Sequence, residues 1–134
     1  MELQLSMVAL EVRDLRASIE FYRRLGLEIP EPPSGRTFVV HRMGSGVSLL
    51  LTSRFASIYD KAWTRPTGGY QQMLEFYAGE DAAVAQKWRD LTQAGYHGRL
   101  EPTQTVGPFV AMVDDPDGNV ILLTSDAAAS PGRS

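Results

Sequence analysis

The sequence contains no cysteine and only two histidines, His41 and His97. Without cysteine, the chain forms no disulfide, has no thiol nucleophile and offers no thiolate ligand to a metal ion. Neither histidine lies in the His-x-His or Glu-x-x-His spacing that places two metal ligands on one element. A single histidine on a strand or in a loop is more often hydrogen-bonded or solvated than coordinated, so we expect neither residue to bind a metal ion.

Long apolar runs and a surplus of positive charge are also missing. No apolar stretch approaches the roughly 20 residues that cross a bilayer, and the start, MELQLSMV, lacks the charged-then-apolar pattern of a signal peptide. The chain has 13 basic and 16 acidic side chains, whereas nucleic-acid binders usually carry a basic patch. For this chain of 134 residues we expect one soluble, cytoplasmic domain that binds neither nucleic acid nor membranes.

The most informative stretch is MVALEVRDLRASIEFYRRLG, residues 7–26. Apolar residues alternate over residues 7–12, which predicts a strand with one apolar face. Asp14 stands where an N-cap belongs, and Gly26 can adopt the left-handed conformation that ends a helix. Between them, spacings of four and three indicate one buried helix face. The residues of that face are Leu15, Ile19, Tyr22 and Leu25.

The pattern of strand, helix and strands occurs twice. Glu75 in MLEF matches Glu11 in ALEV, and the LLTS of residues 50–53 recurs at residues 122–125. Three or more similarities in the same order indicate two similar modules. We expect a single domain over residues 1–127, made of modules at 1–64 and 68–127, followed by a flexible tail at 128–134.

Glycine and proline residues mark turns and loops that divide the rest of the chain into elements. A hairpin is expected over residues 38–51, a helix-like or irregular linker over 53–63, and a second hairpin around the D-P-D-G-N turn of residues 115–119. After each helix, at 26–37 and 95–108, we expect a loop that contains a short strand. The linker is rich in aromatic residues, which either pack onto the core or contact a ligand.

The motif V-x-D-L-x-x-S-x-x-F-Y-x-x-L-G over residues 12–26, the D-P-D-G-N turn and the duplication together resemble the vicinal oxygen chelate superfamily. That superfamily includes glyoxalase I, extradiol dioxygenases and bleomycin-type resistance proteins. The resemblance extends from about Leu5 to Ser125. It implies an α+β fold in which two tandem βαβββ modules form a cupped mixed sheet around a cavity, often shared across a homodimer.

The resemblance also implies where a metal would bind. The metal enzymes of the superfamily carry ligands, usually His and Glu, at the start of the first strand and on the last strand of each module. In this chain those positions fall on Met7 and Gln71, and on Leu50 and Leu122. Because Met, Gln and Leu do not supply the imidazole and carboxylate ligands of such a site, we expect no metal and no other cofactor.

Glu11 and Glu75 share a strand face with Met7 and Gln71 by period-two alternation. In the superfamily that face lines the cavity. Three interpretations remain open: the two carboxylates act as an acid/base pair, they bind an amine or guanidinium of a ligand, or they are solvated near the strand ends. In the last case, the expected ion-pair partners are Arg13 or Arg24.

The LEIP of residues 27–30, the PTGG of 66–69, the GY of 95–96 with the LEP of 100–102, and the D-P-D-G-N turn resemble one group within the superfamily. This group is the metal-free proteins of the mitomycin- or bleomycin-binding resistance type, and the resemblance implies that a planar aromatic drug is held by stacking. The candidate ligand-binding residues include five aromatic side chains around the linker and the second hairpin. With the cavity-facing residues, the candidates are Phe38, Tyr59, Trp63, Tyr70, Phe109, Met7, Gln71, Glu11 and Glu75. Trp88 is excluded because its spacing places it on the buried face of its helix.

Three functions follow from these features. The first is a metal-free homodimer that sequesters a planar aromatic natural product or antibiotic. The second is an enzyme of the same fold that uses Glu11 or Glu75 as its acid/base, or an unrecognised metal site. The third is a protein with a vestigial cavity whose surface binds another protein.

Overall fold

The computed structural model describes residues 1–126, so the expected tail lies outside the described residues. The chain divides into two compact units, the first spanning Met1–Thr67 and the second beginning at Gly68. The first unit contains β1 (Met7–Glu11), α1 (Leu15–Leu25), β2 (Phe38–Arg42), β3 (Ser48–Thr52) and the single-turn helix α2 (Phe55–Ile58). The second contains β4 (Met73–Tyr77), α3 (Asp81–Gln93), β5 (Gly98–Gln104), β6 (Phe109–Asp114) and β7 (Val120–Thr124).

The first sheet has the strand order β1-β3-β2, with β1 parallel and β2 antiparallel to β3. The cross-strand partners Leu10, Leu51 and Val39 are all buried and share one face of this sheet. Helix α1 covers that face with its own buried stripe, which includes Ile19 and Tyr22. The core of the first unit therefore lies between α1 and the sheet, as the periodicity predicted.

The predicted ends of α1 are confirmed. The Asp14 carboxylate accepts a hydrogen bond from the backbone N–H of Ala17 at 3.2 Å, which satisfies one of the free amides of the first turn. At the other end, Gly26 has φ +129° and donates its N–H to the carbonyls of Tyr22 and Arg23. A Cβ would be strained at that φ, so glycine suits the helix end.

The short strand predicted within residues 26–37 is not present in the described structure, where the chain runs irregularly from α1 to β2. Three prolines in this segment have no N–H to donate to a neighbouring strand. Instead, Arg23 Nε donates to the Ile29 carbonyl at 2.7 Å, and Arg16 donates to Glu31. The first unit is therefore βαββ, whereas the second has the predicted βαβββ order.

The second sheet has the order β4-β7-β6-β5, with β4 parallel to β7 and the other pairs antiparallel. Val84 and Leu91 of α3 are fully buried against it. Trp88 is half-buried, and its Nε1 donates to the Met112 carbonyl at 3.0 Å. Trp88 thus belongs to the packing of α3 on the sheet, in agreement with its exclusion from the ligand-binding candidates.

The D-P-D-G-N turn joins β6 to β7 as predicted. Asp115 is buried, and its Oδ1 accepts the backbone N–H groups of Asp117 and Asn119 at 2.9 and 2.8 Å. Gly118 has φ +87°, the positive value that this turn requires of a glycine. The buried carboxylate therefore holds the turn by charge-assisted hydrogen bonds.

The described architecture is a mixed α+β fold with a three-stranded and a four-stranded sheet, which confirms the predicted class. Among residues 1–126, no helix is long and apolar enough to cross a membrane.

Candidate functional site

The first sheet has a second face, opposite α1, that carries the predicted site residues Met7, Glu11 and Phe38. Cross-strand pairing places Glu11 opposite Thr52, and Thr52 opposite Phe38, so these three residues form one row. Since adjacent strands are about 4.8 Å apart, Phe38 lies roughly 10 Å from Glu11 along this row. The row lies at the edge where the parallel strands β1 and β3 both end. Met7 is exposed at the opposite end of β1.

Both carboxylate oxygens of Glu11 have partners in the first unit. Oε2 accepts the backbone N–H of Phe55 at 2.9 Å, and Oε1 accepts a hydrogen bond from Nη2 of Arg65 at 3.1 Å. The Glu11 side chain is only 12% exposed, compared with 29% for Arg65. Water therefore screens this ion pair less than it screens a pair on the open surface.

Between these two partners lies a segment that we call the aromatic loop, residues 55–65. It begins with α2 and contains three side-chain rings, of which that of Phe55 contacts the other two. The Phe55 ring centroid lies 5.3 Å from that of Tyr59 and 5.7 Å from that of Trp63, within the range of favourable aromatic pairs. The guanidinium carbon of Arg65 lies 5.4 Å from the Trp63 ring centroid. Tyr59 is 55% exposed, so this cluster has a face open to solvent.

Phe55 and Arg65 thus link three candidate residues: Glu11, Tyr59 and Trp63. The solvated interpretation of Glu11 named Arg13 or Arg24 as its partner, and the structure shows an ion pair of Glu11 with Arg65. Arg24 forms an i,i+4 ion pair with Glu20. Sequence reasoning missed Arg65 because its contact with Glu11 joins residues that are 54 positions apart.

The repeat that linked Glu11 to Glu75 is offset by two residues in the structure. Leu50 and Leu122 are equivalent through the LLTS match, and their partners across the parallel pairs are Ala9 and Glu75. Glu75 therefore corresponds to Ala9, and Glu11 to Tyr77. A shift of two residues along a strand leaves each side chain on the same face of the sheet. The sequence match therefore assigned Glu75 to the correct face but to the wrong position along the strand.

The same strand register assigns one of the proposed metal-ligand positions to a different residue. Met7 pairs with Ser48, and the equivalent residue in the second unit, which pairs with Val120, is Met73 rather than Gln71. Gln71 precedes β4 and is exposed. With Met73 in place of Gln71, all four positions still carry side chains without imidazole or carboxylate. Within residues 1–126, no three His, Asp or Glu side chains are grouped so that they could hold a metal ion.

In the second unit, Tyr70 lies beside a charged pair. Arg99 donates from Nε and Nη2 to the two carboxylate oxygens of Asp114, both at 2.7 Å, and its guanidinium carbon is 5.2 Å from the Tyr70 ring centroid. The hydrogen bonds to Asp114 raise the pKa of Arg99 above its ordinary value. Tyr70 is 51% exposed, so the charged pair holds a ring that remains open to solvent.

The remaining candidates are distributed over both units. Phe38 is exposed and has the Arg36 guanidinium 5.0 Å from its ring centroid. Glu75 is exposed on β4. Phe109 is half-buried, and by alternation it shares the α3-covered face with Ala111 and Val113. Phe109 is therefore directed to the packed side of its sheet, unlike Phe38.

Comparison with known families places these features in context. A model of the Glyoxalase/Bleomycin resistance protein/Dioxygenase superfamily matches residues 4–123. The chain belongs to this superfamily. The resemblance noted in the sequence is therefore confirmed at the level of the superfamily. No curated protein matches the sequence significantly.

Solved structures support the same fold. A hypothetical protein, SA1046, from S. aureus matches with a TM-score of 0.78 and 24% identity over 94% of this chain and 95% of its own. A family enzyme from Burkholderia phytofirmans PsJN matches with a TM-score of 0.77 and 21% identity, over 91% and 98%. A glyoxalase-related enzyme from Fulvimarina pelagi gives 0.75 and 20%, over 90% and 86%. At these identities the likeness extends to the fold alone.

Proposed function

We propose that this superfamily member is a metal-free binding protein that sequesters a planar aromatic natural product or antibiotic, and that it works as a homodimer. The observation that carries the proposal is the aromatic loop, in which the Phe55 ring contacts the rings of Tyr59 and Trp63 and Tyr59 remains open to solvent. Stacked or edge-on rings contribute roughly 0.5–1.5 kcal/mol beyond the apolar area that they bury. A planar ligand therefore gains from such a cluster without any chemical reaction.

The composition of the metal-ligand positions supports binding rather than metal catalysis. In the metal enzymes that this chain resembles, these positions supply imidazole and carboxylate groups. Here Met7, Leu50, Met73 and Leu122 occupy them. Thioether and aliphatic side chains fit the apolar lining of a small-molecule site better than the coordination sphere of a hard divalent ion.

The contacts of Glu11 weigh against a role as general base. A base must reach the proton that it removes, at about 2.6–3.2 Å. In Glu11, one oxygen accepts the Phe55 amide and the other pairs with Arg65. Proton transfer to this carboxylate would therefore weaken both contacts, which makes a structural role more favourable for Glu11 than acid/base chemistry.

Native mass spectrometry of the protein purified from its own host tests the proposal, together with elemental analysis. We expect a metal-free dimer that carries a planar organic molecule, whose mass then identifies it. A stoichiometric transition metal would contradict the proposal and would favour an enzyme with a metal site built from other residues.

A paired substitution tests the role of the ring cluster. Tyr59→Ala should weaken the binding of planar aromatic dyes, measured by fluorescence titration, by about five- to tenfold, since a stacked ring contributes roughly 1 kcal/mol. Ile58→Ala is the matched control, because Ile58, the last residue of α2 and the neighbour of Tyr59, has nearly the same exposure, 57%, but no ring. Equal losses of affinity in the two variants would show that general apolar contact, rather than stacking, binds the ligand.

A further inference from the structure

A single side chain, that of Glu11, contacts both ends of the aromatic loop. The first residue of the loop, Phe55, donates its N–H to one oxygen of Glu11, and the last, Arg65, donates to the other. Glu11 itself is the last residue of β1, which is paired with β3. One carboxylate on a sheet strand therefore joins the two ends of a segment that is otherwise a turn of helix followed by irregular chain.

The first of these contacts replaces a missing helix cap. In the described structure, the residue before α2, Arg54, makes no side-chain hydrogen bond to the helix amides. The opening amides of a helix have no partners within it and need acceptors from elsewhere. The Glu11 carboxylate accepts from the first helical residue, Phe55, so it caps α2 from a distant strand.

The second contact, between Glu11 and Arg65, connects the carboxylate to the aromatic rings. Arg65 lies between the Glu11 carboxylate and the Trp63 ring, and Trp63 in turn contacts the Phe55 ring. A guanidinium has a planar arrangement of donors, so it can bind a carboxylate at its edge while its face lies over an aromatic ring. Through Arg65 and through the Phe55 amide, Glu11 restrains the ring cluster from both ends of the loop.

We propose that Glu11 is a positioning residue that holds the aromatic loop in its ligand-binding arrangement, acting on the ligand through the rings rather than by direct contact. The inference rests on the proposed function for its link to a ligand, whereas the holding of the loop stands on the contacts alone. Pre-ordering the rings lowers the conformational entropy that is lost on binding, and the affinity rises accordingly.

The first test needs no ligand. Trypsin cleaves after Lys61, which lies inside the aromatic loop, and after Lys87 and Arg89 in α3. Glu11→Gln keeps an acceptor for the Phe55 amide but removes the charge that pairs with Arg65. We expect roughly tenfold faster cleavage at Lys61 and unchanged cleavage in α3, because local opening rather than global unfolding exposes the loop. Glu101→Gln, on an exposed carboxylate of the other unit, should leave both rates unchanged.

The second test uses proflavine, a planar aromatic dye, as the probe. Glu11→Gln should raise its dissociation constant about five- to tenfold, whereas Glu101→Gln should leave it unchanged. Arg65→Gln should cost less affinity when added to Glu11→Gln than when made alone, since both substitutions remove the same ion pair and only the contact of Arg65 with the Trp63 ring is lost in addition. A general loss of stability would instead make the two effects add.

The two tests together distinguish a failure of this inference from a failure of the proposed function. Wild-type cleavage at Lys61 in Glu11→Gln overturns the inference, and so does faster cleavage with unchanged proflavine affinity. If the wild-type protein does not bind proflavine, the proposed function fails for this class of probe, while faster cleavage would still establish that Glu11 holds the loop. If Glu11→Gln does not fold, Arg65→Gln removes the same ion pair at its more exposed partner. The cleavage rates and the proflavine affinity of that variant are then interpreted by the same criteria.

Discussion

At the scale of single residues, Gly98 allows α3 to approach β5 closely. A Cβ built on Gly98 would lie 2.6 Å from Cζ2 of Trp88 and 2.9 Å from Cγ2 of Thr92. Real Cβ atoms do not approach other heavy atoms so closely, so any larger residue would displace the indole. The indole also donates to the Met112 carbonyl, which fixes its position from the other side. The absence of one side chain therefore permits this packing.

Gly98→Ala should lower the free energy of unfolding by about 1–3 kcal/mol, the usual cost of overpacking a well-filled site. Chemical denaturation followed by circular dichroism measures this change. Gly44→Ala is the matched control, because no described heavy atom lies within 4 Å of its Cβ position and its φ is not positive. An effect of equal size in both variants would show that loss of glycine flexibility, not the indole contact, is responsible.

At the scale of elements, the two long helices begin differently. Asp14 caps α1 with its carboxylate, whereas in the described structure Glu80, the N-cap of α3, makes no such side-chain hydrogen bond. Glu80 nevertheless has the extended backbone, φ −149° and ψ 162°, that an N-cap residue adopts. The glutamate side chain is one methylene longer than the preferred caps, so this position has the right backbone and an unsuitable side chain.

Substitutions at the two caps should therefore change stability in opposite directions. Asp14→Ala should lower the free energy of unfolding by about 0.5–2 kcal/mol, and Glu80→Ser should raise it by up to about 1 kcal/mol. Thermal and urea denaturation of the two variants measure both changes. A loss of stability in Glu80→Ser would mean that the glutamate contributes through its charge near the positive end of the helix rather than as a cap.

At the scale of the whole molecule, folding and the proposed binding function depend on different tryptophans. Trp88 packs on the second sheet, and Trp63 lies in the aromatic loop of the first unit. Both are half-buried, so exposure alone does not distinguish them. Their contacts do, because Trp88 contacts the backbone of a central element while Trp63 contacts other loop side chains.

Trp88→Ala should lower the free energy of unfolding by about 3 kcal/mol, as large aromatic truncations do. Trp63→Ala should change it by less than about 1 kcal/mol and should weaken the binding of planar aromatic dyes. Urea denaturation and fluorescence titration of both variants provide the comparison. Greater destabilisation by Trp63→Ala would show that the aromatic loop is part of the folding core and would remove the main support for the proposed function.

Local signals in the sequence predicted much of this molecule. Asp14 and Gly26 marked the ends of α1 because caps and left-handed residues act within one helical turn. The D-P-D-G-N turn was equally local, since Asp115 accepts from residues two and four positions ahead. The repeated LLTS sequence correctly identified β3 and β7 as equivalent last strands. The superfamily motif around α1 then led to the fold that the comparisons confirm.

Only the tertiary structure decided the contacts between distant positions. Strand pairing showed that Glu75 corresponds to Ala9 and not to Glu11, since a two-residue offset leaves the periodicity of a strand unchanged. It also joined Glu11 to Arg65, a pairing that composition and spacing do not determine. Sequence periodicity identifies the face of an element because the face repeats along the chain. A partner across the fold depends on how the elements pack, which requires the three-dimensional structure.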